Sequence, residues 1–338
     1  MIAPTPFFSD RGCHVRILNS YLRLKREKND ITLLTYPLGR DMIGIESKRV
    51  IKLPGYNKTS PGFSFYKPLL DIILLIKSWG EMHSNNYDLI YSHLHEGTFI
   101  GWVLKKSFGK KLIFDAQGSL TGEMSEQRTI KKNGILFNLL FYLEKFITGK
   151  PDEIITSTDD LKEFIVKNFE FKKPITVIKD LPDKSLFNKN IKPAKLKLPK
   201  SKKIVVYLGG LQEYKGIDYL IKAIPFISDR FHFLIMGYPE ERCKILANEL
   251  GVLNRITFTG KMPYELSPSY LKLGDLAVSP KTLESKEANA KIYNYLVMGL
   301  KVVCFDIPEN RKILGNKGIY AKEKDIMDLA KKINGVVR

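Results

Sequence analysis

Glu284, Glu287, Asn289 and Lys291 crowd into one short polar stretch between two apolar runs. The stretch reads as strand, loop, helix, glycine, strand. The first strand is Leu276–Ser279, closed by Pro280, and the last is Val302–Phe305. Between them Ala290, Ile292, Leu296 and Val297 repeat at helical spacing, and Gly299 stops the helix. Glu287, Lys291 and Asn294 fall at i, i+4, i+7, so they share one face of that helix. In parallel α/β sheets ligands collect where strands end and helices begin. A helix start that carries a lysine suits a diphosphate, because unpaired N–H groups and the dipole both favour anions.

Similar polar or glycine-rich clusters recur at other strand ends. They are Ser9-Asp10-Arg11-Gly12, His93 to Gly97, and Ala116-Gln117-Gly118-Ser119 in the first half. In the second half they are Gly209 to Gly216, Gly237, and Gly260-Lys261. Glycines let a backbone approach a ligand closely. Lys215, in the Gly209–Gly216 loop, is then placed to reach a phosphate from the side opposite Lys291. A surface lysine on an ordinary strand–turn–helix is the alternative. His93 and His95 alternate at a strand end, but no third ligand is spaced for a metal. Acceptor binding, base catalysis or structural hydrogen bonding remain open for them. Glu96 is a carboxylate at a strand end, suited to sugar hydroxyls.

Strand-like and helical runs alternate along the whole chain, which predicts parallel sheets covered on both faces. Strands are expected at Met1–Ala3, Ile31–Tyr36, Val50–Leu53, Leu89–Ser92, Lys111–Asp115, Glu153–Thr156 and Ile175–Ile178. After a Pro- and Lys-rich linker over 181–202 come Lys203–Leu208, Phe231–Met236 and Ile256–Thr259, then the two strands of the opening paragraph. Helices are expected at His14–Arg26, Thr98–Lys106, Gly134–Thr148, Asp159–Asn168 and Lys324–Asn334. The architecture is two doubly wound domains, 1–180 and 203–338.

The composition sets bounds. A net charge of +19 implies attraction to something anionic. Lys192 to Lys203 is the densest basic run, read as a solvated linker or a lipid contact. No aromatic-interleaved basic motif speaks for nucleic acid. Three scattered cysteines form no disulfide or zinc framework, which fits a reducing cytosol. The apolar runs Pro68–Trp79 and Gly134–Ile147 are short of the roughly 20 residues that span a bilayer. The start has no signal-peptide pattern.

GGLQEYKGIDYLIKAI, FLIMG, ITFTGKM and the block from Ser279-Pro280 to NYLVMGLKVVCFD are together similar to the retaining glycosyltransferases of family four, with DRGCHVRI matching their N-terminal glycine loop. The resemblance covers nearly the whole chain and implies the GT-B fold, two Rossmann-like domains facing across a cleft. It implies transfer of a hexosyl group from a nucleotide-diphosphate sugar to a glycan or lipid-linked acceptor, without a metal or other cofactor. Lys215 resembles the lysine that neutralises the donor β-phosphate. With Lys215, the residues Glu287, Lys291 and Gln117 are the catalytic candidates; Gly209, Gly210, Gly260, Lys261, Glu284, Asn289, Ala290 and Asn294 match donor-binding positions, and Gly12 the glycine under the phosphates. Arg11, His95, Glu96 and Gln117 fall on the acceptor side. The basic surface suggests a cytoplasmic protein peripheral to an anionic membrane face. By the same resemblance both ends look short, and a C-terminal crossover helix is expected to be missing.

Four positions depart from the family pattern. Asn294 stands where a second glutamate usually binds the ribose, and Lys286 stands eight residues before it. Gly210 replaces an arginine, whose charge Lys291 or Arg11 is then left to supply. Gln117 replaces a histidine and carries no transferable proton. These departures keep two alternatives open. One is a sugar-nucleotide epimerase using His93, His95 and Glu96. The other is a binding homologue without activity. A dehydrogenase is not expected, since no G-x-G-x-x-G follows either opening strand.

Overall fold

The computed structural model describes residues 1–59, 64–126, 130–131, 134–282 and 288–336. The chain divides into two units, residues 1–179 and residues 180–285 with 289–338.

The first unit holds a parallel sheet of β1 (Ile2–Ala3), β2 (Leu33–Thr35), β3 (Ser47–Arg49), β4 (Leu89–His93), β5 (Lys111–Ala116), β6 (Glu153–Thr156) and β7 (Ile175–Val177). Its order is β3-β2-β1-β4-β5-β6-β7. The second unit holds β8 (Lys203–Leu208), β9 (Phe231–Met236), β10 (Ile256–Phe258), β11 (Leu276–Ser279), β12 (Lys301–Phe305) and β13 (Gly318–Ala321), ordered β10-β9-β8-β11-β12-β13. Both are doubly wound sheets that reverse direction between the first and fourth strands. In sheets of this order ligands collect outside the strand ends that flank the switch, here β1 and β4 in one unit and β8 and β11 in the other.

The central strands are apolar on both sides, as a sheet covered by helices requires. Phe233, Leu234, Ile235 and Met236 of β9 and Val302, Val303, Cys304 and Phe305 of β12 are all buried. They divide between two apolar clusters, one on each face of the sheet.

Several expected boundaries move. The strand expected at Val50–Leu53 lies at Ser47–Arg49 instead: Val50 makes the last rung, donating its N–H to the Thr35 carbonyl, before Pro54 turns the chain. β13 was not expected, since Gly-Ile-Tyr-Ala is short and opens on glycine. The apolar run from Pro68 lies in a full helix, Lys67–Ser84. Residues 180–202 group with the second unit, where Phe187 is buried and Leu186, Ile191, Leu196 and Leu198 pack beside it.

Candidate functional site

In the second unit the loops after β8 and β11 meet at the switch point. Gly216 sits in the left-handed region (φ +82°), with a Cβ there driven into the Pro280 carbonyl. Only glycine lets the Lys215 loop cross the end of β11 so closely. Gly209 (φ +147°) is constrained in the same way by a side chain: its Cβ would lie 2.9 Å from the Lys291 ammonium.

Lys291 is fixed by Tyr207, two residues before Gly209 on the same side of β8. The ammonium lies 4.2 Å from the Tyr207 ring centroid and 3.2 Å from its hydroxyl. That hydroxyl in turn donates to the Gly210 carbonyl at 2.9 Å. Burial pushes the Tyr207 phenol up, so it stays a neutral donor. The ring face and the hydroxyl oxygen together hold the ammonium against Gly209. The Lys215 ammonium likewise lies 4.9 Å from the Tyr214 ring centroid, and that of Lys261 5.4 Å from the Tyr238 ring centroid.

The helix that carries Lys291 spans Lys291–Val297, with Ala290 as its N-cap. It begins later than the spacing predicts, because Asn289 and Ala290 are spent on the turn. Lys291 and Asn294 lie on it. Glu284, Lys286 and Glu287 lie outside the described residues. Seven residues carry little dipole, so positive charge here comes from the ammonium more than from the helix end.

Asn289 takes a different place from the one expected. It is buried, its amide donating to Ser279 Oγ at 3.0 Å and Asn310 Oδ1 at 2.8 Å. Its backbone N–H donates to Glu309 Oε1 at 2.5 Å, while Glu309 Oε2 pairs with the buried Lys281 at 3.1 Å. Asn289 therefore ties the turn before Lys291 to the ends of β11 and β12. Tyr207, Ser279, Lys281, Glu309 and Asn310 were missed by sequence reasoning.

In the first unit the strand ends are filled by side chains. Asp115, buried at the end of β5, accepts from Arg16 Nε at 2.7 Å and Ser20 Oγ at 2.9 Å, and pairs with Arg16 Nη2 at 2.6 Å. Burial alone raises its pKa, but the Arg16 charge outweighs this and holds the carboxyl well below the usual range. His93 Nδ1 lies 3.3 Å from Asp115 Oδ2, and burial keeps that imidazole low. His95 is buried edge-on against Phe114, with Nε2 3.6 Å from Glu144 Oε1. Glu144 accepts the backbone N–H groups of Leu120 and Thr121, both at 3.0 Å.

Glu96 is half-buried and pairs with Lys67 at 2.9 Å. Beside it Asp71 accepts from Tyr36 Oη at 2.5 Å. Burial, aided by the Glu96 charge, pushes the Asp71 carboxyl up to about 7. Gln117 has a buried Nε2 with no hydrogen-bond partner among the described residues. Gly12 opens the helix Gly12–Arg26 with space where a side chain would stand, and Arg11, its N-cap, donates to the Thr59 carbonyl at 3.4 Å. Among the described residues, no group of three or more His, Cys, Asp or Glu is placed to hold a metal.

Two doubly wound units of this order define the GT-B fold. A sucrose-phosphate synthase from Thermosynechococcus elongatus superposes with a TM-score of 0.79 at 18% identity, over 99% of this chain and 89% of that one. HepE of Anabaena in complex with UDP-glucose superposes at 0.72 and 15% identity, over 100% and 89%. Residues 202–338 match the family model for glycosyl transferases group 1. An uncharacterized glycosyltransferase of Methanocaldococcus jannaschii is 26% identical over 220 residues, 61% of this chain. The matched stretch spans 55% of that relative, about half its length. The family match thus covers residues 202–338, while the likeness to solved structures over nearly the whole chain shows the fold.

Proposed function

We propose that the protein moves a hexosyl group from a nucleotide-diphosphate sugar to an acceptor hydroxyl, with retention at the anomeric carbon. The observation that carries this is the Lys291 ammonium, held by Tyr207 against Gly209 at the switch point of the second sheet.

When the C–O bond to the sugar breaks, negative charge builds on the β-phosphate of the leaving diphosphate. Fixed cations that need no reorganisation stabilise that charge best. In this reading Lys291 and Lys215 supply it. Gly209 lets the Lys291 ammonium close on the end of β8, and Gly260 with Lys261 flank the base. The acceptor hydroxyl attacks on the face the diphosphate leaves, and its proton passes to the departing phosphate oxygen. The binding of UDP-glucose by HepE makes a UDP-sugar the first donor to try.

The acceptor is assigned to the first unit, near Glu96 and Gln117. The orphaned Gln117 amide suits a sugar hydroxyl. Its chemistry is read as a glycan or lipid-linked alcohol, since a chain of net charge +19 is drawn to anionic surfaces. The epimerase alternative retains Glu96, which pairs with Lys67, while His93 and His95 are both buried.

The test is product analysis with UDP-, GDP- and ADP-sugars after a thermal-shift screen. Transfer and diphosphate release support the reading. An epimerised sugar nucleotide with no acceptor present, or no shift with any donor, contradicts it.

A further inference from the structure

The first unit carries two helices that are apolar on the wrong side as well as the right one. In Lys67–Ser84 the inward face is Leu70, Leu74 and Ser78. The outward positions Leu69, Ile72, Ile76 and Trp79 step by three, four and three, and all are exposed, Ile76 at 66%. In Ile135–Thr148 the inward face ends in Ile147 and Thr148. Its outward positions Ile135, Leu139, Tyr142 and Phe146 step by four, three and four, with Ile135 92% exposed and Tyr142 69%. A helix apolar all round belongs inside a core or against lipid.

The two faces form one surface. The helix Leu94–Phe108 packs between them. Trp79 meets Phe108 at 5.2 Å, and Trp102 meets Phe146 at 5.5 Å, with Phe99 exposed beside Trp102. A contiguous exposed apolar face of this kind marks a protein or membrane contact.

Charge selects the occupant. No Asp or Glu is among the exposed residues of these three helices, whereas Lys106 is exposed there. The Lys150 ammonium caps the rim, 3.6 Å from the Phe146 ring centroid. With a net charge of +19 on the chain, a second copy is repelled and anionic lipid attracted. Trp79 and Tyr142 are the residue types that settle at a headgroup boundary. Among the described residues no helix is long and apolar enough to cross a membrane. The face therefore suits lying on a bilayer rather than spanning one.

We propose that the outward faces of Lys67–Ser84 and Ile135–Thr148, bridged by Phe99, dock the first unit on an anionic lipid surface. This deepens the membrane-facing part of the proposed function, and its readout needs neither donor nor turnover.

The experiment floats the full chain with phosphatidylcholine vesicles and with equimolar phosphatidylcholine–phosphatidylglycerol vesicles. The wild type is expected to float with the anionic vesicles, less as salt rises. The double variant Ile76→Glu, Leu139→Glu should partition at least ~10-fold more weakly. Both positions are exposed, so its melting should match the wild type. Ile245→Glu, an equally exposed isoleucine of the second unit, should bind as the wild type does. Absent flotation, equal flotation with neutral vesicles, or a double variant that floats unchanged overturns the proposal. So does light scattering that shows a wild-type dimer split by the double variant, which would make the face an interface between copies.

Discussion

The two units share a strand order but finish their strands differently. In the first, carboxylates at the strand ends pair with cations or backbone amides, Asp115 with Arg16, Glu144 with the Leu120 and Thr121 amides, Glu96 with Lys67, and two histidines are buried beside them. In the second, glycines let the loops and the Lys291 ammonium close on the strand ends, and the Lys291 and Lys215 cations lie against aromatic rings. A site that must admit a polyanion needs backbone room and fixed positive charge. A surface that supports a neutral hydroxyl needs neither. The difference predicts that damage to the first unit's network shows as lost stability, and damage to the second unit's loops as lost chemistry.

Asp115→Ala should break this comparison most forcefully if it is wrong. It leaves the buried Arg16 guanidinium without its carboxylate, which costs about 3–5 kcal/mol. Denaturant unfolding followed by circular dichroism measures it, and a cost under 1 kcal/mol would mean that the network is incidental.

Lys215→Ala is its counterpart in the second unit. Turnover should fall ~10²–10³-fold, the loss typical of one transition-state charge donor, while the unfolding midpoint stays put. Equal turnover would remove Lys215 from the chemistry.

Gly209→Ala sharpens the contrast within one unit. It combines a backbone conformation costly for alanine with a Cβ 2.9 Å from the Lys291 ammonium. About 1–3 kcal/mol of stability is expected to go, together with nucleotide affinity.

Asp71→Asn is the smallest effect, and it depends on pH. The folded carboxyl titrates near 7, above its unfolded value. Its contribution is complete below the unfolded pKa and is lost as pH rises through about 7. Asparagine keeps an acceptor for Tyr36 and takes no charge. The variant should gain on the order of 1–2 kcal/mol over the wild type above pH 7, allowing for partial solvation, and nothing at pH 4. Equal pH profiles would place Asp71 in water.

The second unit was the more legible half. The bounds of β8, β9 and β11 fall where the apolar runs end. Gly209 and Gly216 stood out because glycine spacing states a backbone need locally, and Lys215 mainly because the stretch around it resembles the family's motif. Side-chain networks carry no such local mark. Tyr207 reads as a core residue until Lys291, 84 positions away, is seen against it. Asn289 reads as a ligand contact until Ser279 and Asn310 claim its amide. The helix Lys67–Ser84 was hidden for another reason. It is apolar on two faces, so its period is blurred and only its run length was visible.

The central claim is that the second unit grips a nucleoside diphosphate through Lys215 and Lys291. Calorimetric titration of the full chain with UDP and with GDP, wild type beside the Lys215→Ala, Lys291→Ala double variant, tests it directly. The account predicts saturable binding of one diphosphate, weakened at least ~10-fold by the double change. No heat from either diphosphate at millimolar concentration, or equal affinity in both proteins, would contradict it.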